Sequence, residues 1–63
     1  MKLEGTVEVQ YRGKRYQGHW SVARRMLTVH YGMRDKITQL SGSPPDVLAR
    51  ILLRELLNET IEP

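Results

Sequence analysis

The side chains best suited to bind a metal ion or move a proton near neutral pH are His19, His30 and Glu8. Each occupies a polar position in a segment where polar and apolar residues alternate. The strand pairing that this pattern predicts places the three side chains in one row across neighbouring strands. Cross-strand neighbours lie about 5 Å apart at Cβ, so two imidazoles and a carboxylate in a row can hold zinc. The simpler interpretation is a solvated polar row, because Ser21 and Thr28 occupy similar positions. We therefore predict no metal and no cofactor, with these three residues as the candidate ligands should a metal bind.

Basic side chains are concentrated in the middle of the chain. Residues 12–36 carry seven Lys or Arg against one acid, a charge of +6 within a chain whose net charge is +3. The first and third turns of an up-and-down meander share one end of the sheet, which gathers five candidate nucleic-acid-binding cations: Arg12, Lys14, Arg15, Arg34 and Lys36. With Tyr11 and Tyr16 nearby, this edge can bind phosphates and stack a base. The alternative is that the turns are merely solvated and the tyrosines cap the core.

Two short segments carry a resemblance to a known family. Tyr11–Arg15 and Trp20–Ala23 resemble the first two strands of plant-type AP2 DNA-binding domains. Those domains consist of three strands and a helix and read DNA with the sheet, so the resemblance implies DNA binding. The Leu-rich helix of this chain departs from the alanine-rich helix of that family, and the arginines of its later strands are missing here.

Enzyme motifs are absent from the sequence. It contains no phosphate-binding glycine loop, no zinc-ligand spacing and no cysteine. A chain of 63 residues has little material for a pocket of about 300 Å³ or more. We therefore predict no enzymatic activity and no small-molecule substrate. No stretch approaches the ~20 apolar residues of a membrane span, and a cytoplasmic location is the default expectation.

The elements that position these side chains are predicted from alternation and turn signals. Residues 1–63 are expected to form a single α+β domain, a three- to four-stranded antiparallel β-meander with one C-terminal helix packed on one face. The strands are predicted at about 5–12, 15–23, 26–32 and 36–40. A type II′ turn is expected at Gly13–Lys14. A four-residue loop is expected around Arg24–Arg25, because two arginines fit a tight turn poorly.

The register follows from these turns. Val7 is expected opposite Trp20, and Trp20 opposite Val29, which places every apolar side chain on one face of the sheet. Gly18 is expected either beneath the Tyr31 ring or at a bulge. The register of the fourth strand stays open, because one pairing points Ile37 inward and the other Leu40.

The helix is predicted at about 44–58, with Ser43 as its N-cap and residues 59–63 as a frayed tail. Its buried stripe is expected to comprise Leu48, Ala49, Leu52, Leu53 and Leu56. Further apolar residues lie outside the stripe, and we predict Val47, Ile51 and Leu57 as dimer contacts. The sequence thus predicts a small binding module, with nucleic acid as one partner, or alternatively a second copy bound through the helix surface or an open edge strand.

Overall fold

The computed structural model describes residues 3–40 and 42–61, and it confirms the predicted architecture. Four antiparallel strands form one sheet in the order β1-β2-β3-β4, and a single helix packs on one face of it. The elements are β1 (Leu3–Tyr11), β2 (Lys14–Ala23), β3 (Met26–Tyr31), β4 (Arg34–Gln39) and α1 (Pro45–Ile61). The helix continues past the predicted end at residue 58 and includes much of the expected frayed tail, whose residues 62 and 63 lie outside the described residues.

The first hairpin turn lies at Arg12–Gly13, so the predicted turn at Gly13–Lys14 is wrong. Both residues have positive φ, 54° and 80°, as a type I′ turn requires. The change slides the pairing by two residues, and Val7 lies opposite Gly18 instead of Trp20. Because the slip is an even number of residues, every side chain keeps its predicted face of the sheet.

The second hairpin is tighter than the predicted four-residue loop. Arg24 and Arg25 form its two-residue turn with φ values of 53° and 64°, again the type I′ pattern. The strands enforce this conformation, because Ala23 pairs with Met26 directly beside the turn. The predicted pairing of Trp20 with Val29 is confirmed.

The fourth strand exists and its register is fixed by the third turn. Tyr31 pairs with Arg34, and Gly32 occupies the first turn position with a φ of 61°. This register points Ile37 away from the helix, where its side chain is 58% exposed. Leu40 packs against the core, and its N–H donates to the carbonyl of Arg25 at 2.8 Å.

The helix begins one residue later than the Ser43 cap predicts. The carbonyl of Pro44 accepts the N–H of Leu48 at 3.2 Å, which makes Pro44 the N-cap and Pro45 the first helical residue. Proline suits that position because it has no N–H to satisfy. Asp46 in the first turn complements the positive end of the helix dipole.

The core lies between the helix and the sheet. It contains ten buried residues: Val7, Val9, Trp20, Leu27, Val29, Ala49, Leu52, Leu53, Leu56 and Leu57. Leu57 is fully buried, so its prediction as a dimer contact is wrong. It lies one turn after Leu53, and both side chains point into the sheet.

Two glycines let other groups approach the sheet closely. A Cβ on Gly18 would lie 3.0 Å from the carbonyl oxygen of His30 and 3.3 Å from a methyl of Leu53. Leu53 therefore takes the place predicted for the Tyr31 ring. An aromatic ring does cover a glycine elsewhere, since a Cβ on Gly5 would lie 2.9 Å from the Trp20 indole.

Candidate functional site

The five candidate cations do not all lie on one face of the sheet. Some point to the helix side, one points to the opposite side, and Arg12 lies in the first turn. The first and third turns lie at the same end of the sheet, as a meander requires. Arg34 and Lys36 pair with the buried-face residues Tyr31 and Val29 and so point to the helix side. Arg15 pairs with Gln10 and points to the opposite side. The cations therefore do not form one continuous patch on either face.

Arg34 and Lys36 bind the end of the helix. The Lys36 ammonium group donates to the carboxylate of Glu59 and lies 3.6 Å from that of Glu55. The Arg34 guanidinium donates to the Thr60 hydroxyl at 3.2 Å. The last turn of α1 contains no basic residue, so β4 supplies the positive charge that favours a helix C-terminus.

This ion pair changes the proton affinity of both partners. The hydrogen bond to Glu59, followed by its charge, raises the pKa of Lys36 above the ordinary value. The same hydrogen bond and the charge of Lys36 lower the pKa of Glu59. The ammonium of Lys36 is thus paired within the chain over the whole neutral range.

Three tyrosines form a row beside these cations on the helix side. The rings of Tyr11 and Tyr16 meet edge to face with centroids 6.4 Å apart, and those of Tyr16 and Tyr31 with centroids 6.0 Å apart. The Tyr11 hydroxyl donates to the side-chain oxygen of Asn58 at 3.0 Å. All three rings pack partly buried against the core, which matches the capping role considered for Tyr11 and Tyr16. The Arg12 guanidinium lies 5.8 Å from the centroid of the Tyr11 ring.

The sheet face opposite the helix is acidic. Among the described strand residues it carries three carboxylates, Glu4, Glu8 and Asp35, against the single guanidinium of Arg15, a net charge of −2 with neutral histidines. A face that reads DNA needs cations to neutralise phosphates. This face therefore departs from the DNA-reading sheet that the AP2 resemblance implies.

The predicted row of Glu8, His19 and His30 needs one correction. His19 and His30 are cross-strand partners, with ring centroids 6.4 Å apart. Glu8 lies opposite Gln17 because of the two-residue slip in the first hairpin. The carboxylates beside the histidines are instead Glu4, 3.3 Å from His19 Nε2, and Asp35, 3.8 Å from His30 Nδ1. Within residues 3–40 and 42–61, no three His, Asp or Glu side chains are close enough together to hold a metal ion.

The outward surface of the helix carries the other two predicted dimer contacts. Val47 and Ile51 lie one turn apart, with exposed fractions of 41% and 49%. The exposed side chains of Asp46, Arg50 and Arg54 lie along one flank of this pair. The third apolar side chain expected there, Leu57, belongs to the core.

The described residues contain no pocket of ligand size. Among the described residues, no helix is long enough and apolar enough to cross a membrane. No protein-family model, curated protein or solved structure significantly matches this chain.

Proposed function

We propose that the protein is a non-enzymatic interaction module that forms a symmetric homodimer through the outward surface of α1. The observation that carries the proposal is the pair of half-exposed side chains, Val47 and Ile51, on a helix whose buried stripe is already complete. A domain of 63 residues has a small core, so burying a second apolar surface adds a large fraction of its stability.

The pairing of Asp46 with a basic residue of the same flank supports a second copy as the partner. On a helix with 3.6 residues per turn, Asp46, Arg50 and Arg54 lie on the same flank of the Val47–Ile51 pair. In an antiparallel arrangement about a two-fold axis, each flank meets the same flank of the other copy. Val47 then packs against the partner's Ile51, and Asp46 lies beside the partner's Arg50. Because of the two-fold symmetry, each of these contacts occurs twice in the dimer.

The expected dimer is weak. Stable protein interfaces bury about 800 Å² on each partner, and one helix face with two apolar side chains presents less than that. Self-association should therefore increase with concentration and reach a dimer only in the upper micromolar to millimolar range.

Replacing Ile51 by glutamate should abolish the dimer while leaving the domain folded. The substitution places a carboxylate at the centre of the apolar contact, and glutamate is a good helix former. Sedimentation equilibrium from micromolar to millimolar concentration measures the association. Fluorescence of Trp20, the sole and buried tryptophan, checks folding.

Ile37→Glu is the matched control, because Ile37 is similarly exposed on the opposite face of the sheet. This variant should dimerise like the parent chain. A charge exchange sharpens the test: Asp46→Arg and Arg50→Asp should each weaken the dimer, and the double variant should restore it. A parent chain that stays monomeric at millimolar concentration would refute the proposal, as would a dimer broken by Ile37→Glu alone.

A second candidate function is polyanion binding by the tip of the first hairpin. Lys14 and Arg15 are exposed beside the Arg12–Gly13 turn, whereas Arg34 and Lys36 bind the helix. With the two cations Lys14 and Arg15, the number of phosphate contacts should be small. Cysteine-free composition fits a reducing compartment, and we propose the cytoplasm as the location of either activity.

For this second candidate we expect weak binding to duplex DNA with a shallow salt dependence. Each phosphate contact contributes a slope of about −0.9 in log K against log salt, so a slope of about −2 is expected from two contacts. Lys14→Gln with Arg15→Gln should remove the binding. Arg24→Asn with Arg25→Asn removes two cations from the other end of the sheet and should leave it unchanged. If both double variants lose DNA affinity equally, the binding depends on the net charge of the protein and there is no site at this hairpin.

A further inference from the structure

We propose that His19 and His30 together bind one divalent transition-metal ion, such as Zn²⁺, on the sheet face away from the helix. The two residues are direct cross-strand partners on the central strands β2 and β3. Their side chains are 49% and 48% exposed, so an ion reaches them without any opening of the core. This site is independent of the dimer surface and of the basic hairpin.

The rings are about 1 Å farther apart than two rings on one tetrahedral ion. Zinc–imidazole bonds of about 2.0–2.1 Å place the centroids of two such rings roughly 5 Å apart. The observed centroid separation is 6.4 Å, with planes inclined by 32°. The ring centroid lies on the χ2 axis, so the approach requires rotation about χ1 or a small backbone shift, and χ2 then aims the nitrogens at the ion.

A carboxylate lies beside each ring. Glu4 lies 3.3 Å from His19 Nε2, and Asp35 lies 3.8 Å from His30 Nδ1. A carboxylate beside one ring nitrogen favours the proton there and leaves the other nitrogen as the ligand. The closer contact, that of Glu4, therefore points to His19 Nδ1 as a metal-binding atom.

The four side chains come from all four strands of the sheet. His19, His30 and Asp35 are cross-strand partners on β2, β3 and β4, and Glu4 on β1 lies diagonal to His19. Their neighbours on the same face are Thr6, Gln17, Ser21, Thr28, Glu8 and Ile37, none of which is a cation. The net negative charge of this face favours an approaching dication. Two protein ligands leave the remaining coordination positions to water, which implies a modest affinity.

The test is a titration of the full chain with ZnCl₂, followed by histidine ring resonances and by calorimetry. We expect saturable shifts of both rings, one ion per chain, and a rise in the thermal midpoint with metal concentration. His19→Gln and His30→Gln should each abolish saturation. Both positions are exposed, so the unliganded variants should fold, and their spectra without zinc check that they do.

Glu4→Gln and Glu8→Gln form a matched pair that separates orientation from general charge. Both remove one carboxylate from the same strand and the same face, but only Glu4 contacts a histidine. Loss of an orienting carboxylate typically lowers metal affinity by about 10–100-fold, and we expect a loss in that range for Glu4→Gln and almost none for Glu8→Gln. Equal losses, unchanged ring shifts, or one ion per two chains would overturn the proposal.

Discussion

Replacing Leu53 by alanine is expected to lower the free energy of unfolding by about 2–5 kcal/mol. Leu53 is fully buried at the centre of the helix–sheet interface, where its methyl groups take the space left by the missing side chain of Gly18. The backbone of β2 cannot move into the resulting cavity, because its neighbours on both sides hold it in the sheet. A domain of this size has a total stability of roughly 3–9 kcal/mol, so the variant should lose a large part of it.

Urea unfolding followed by Trp20 fluorescence measures this loss. Leu48→Ala is the control, because Leu48 lies on the same helix but is only partly buried. Its truncation leaves a space that water can enter, and the loss of stability should be well under half of that for Leu53. Similar losses at the two positions would show that helix propensity or overall hydrophobicity, rather than the contact with Gly18, decides the effect.

Changing Arg24–Arg25 to Asn–Gly should stabilise the domain by about 1–2 kcal/mol. Both arginines have positive φ, a conformation that is costly for side chains with a Cβ and that asparagine and glycine adopt readily. Part of the gain is offset because glycine loses more backbone entropy on folding. The change in the urea midpoint gives the net effect.

The Ala–Ala variant at the same two positions separates backbone relief from charge relief. It removes both guanidinium groups and their mutual repulsion but keeps two residues that disfavour positive φ. We expect no gain in stability for Ala–Ala. If it gains as much as Asn–Gly, repulsion between the arginines is the dominant cost and the backbone explanation fails.

The fold was predictable because the polar–apolar alternation alone assigns each strand residue to a face. Val7, Val9 and Val29 are buried as expected even though the first hairpin is displaced, since a two-residue slip preserves the faces. The position of the turn was less predictable. Both Arg12–Gly13 and Gly13–Lys14 place a glycine in a two-residue turn, and sequence preference alone does not separate them.

The candidate surfaces were harder to predict because they depend on contacts between distant elements. Arg34 and Lys36 counted as available cations until the helix direction and its extension to Glu59 and Thr60 were known. Leu57 counted as exposed until the packing of the helix on the sheet was known. Likewise, the Asp35 partner of His30 requires the register of β4, which the sequence left open between Ile37 and Leu40.

The order of the strands has a consequence for how the chain folds. Every strand pairs only with its neighbours in sequence, across turns of two residues, so the sheet assembles through short loop closures. Low contact order of this kind favours rapid folding. The contacts with large sequence separation are those of the helix, such as Tyr11 with Asn58. Because a formed meander already links β1 to β4, docking of α1 on it closes only the short connection between β4 and α1 and adds little loop-closure entropy.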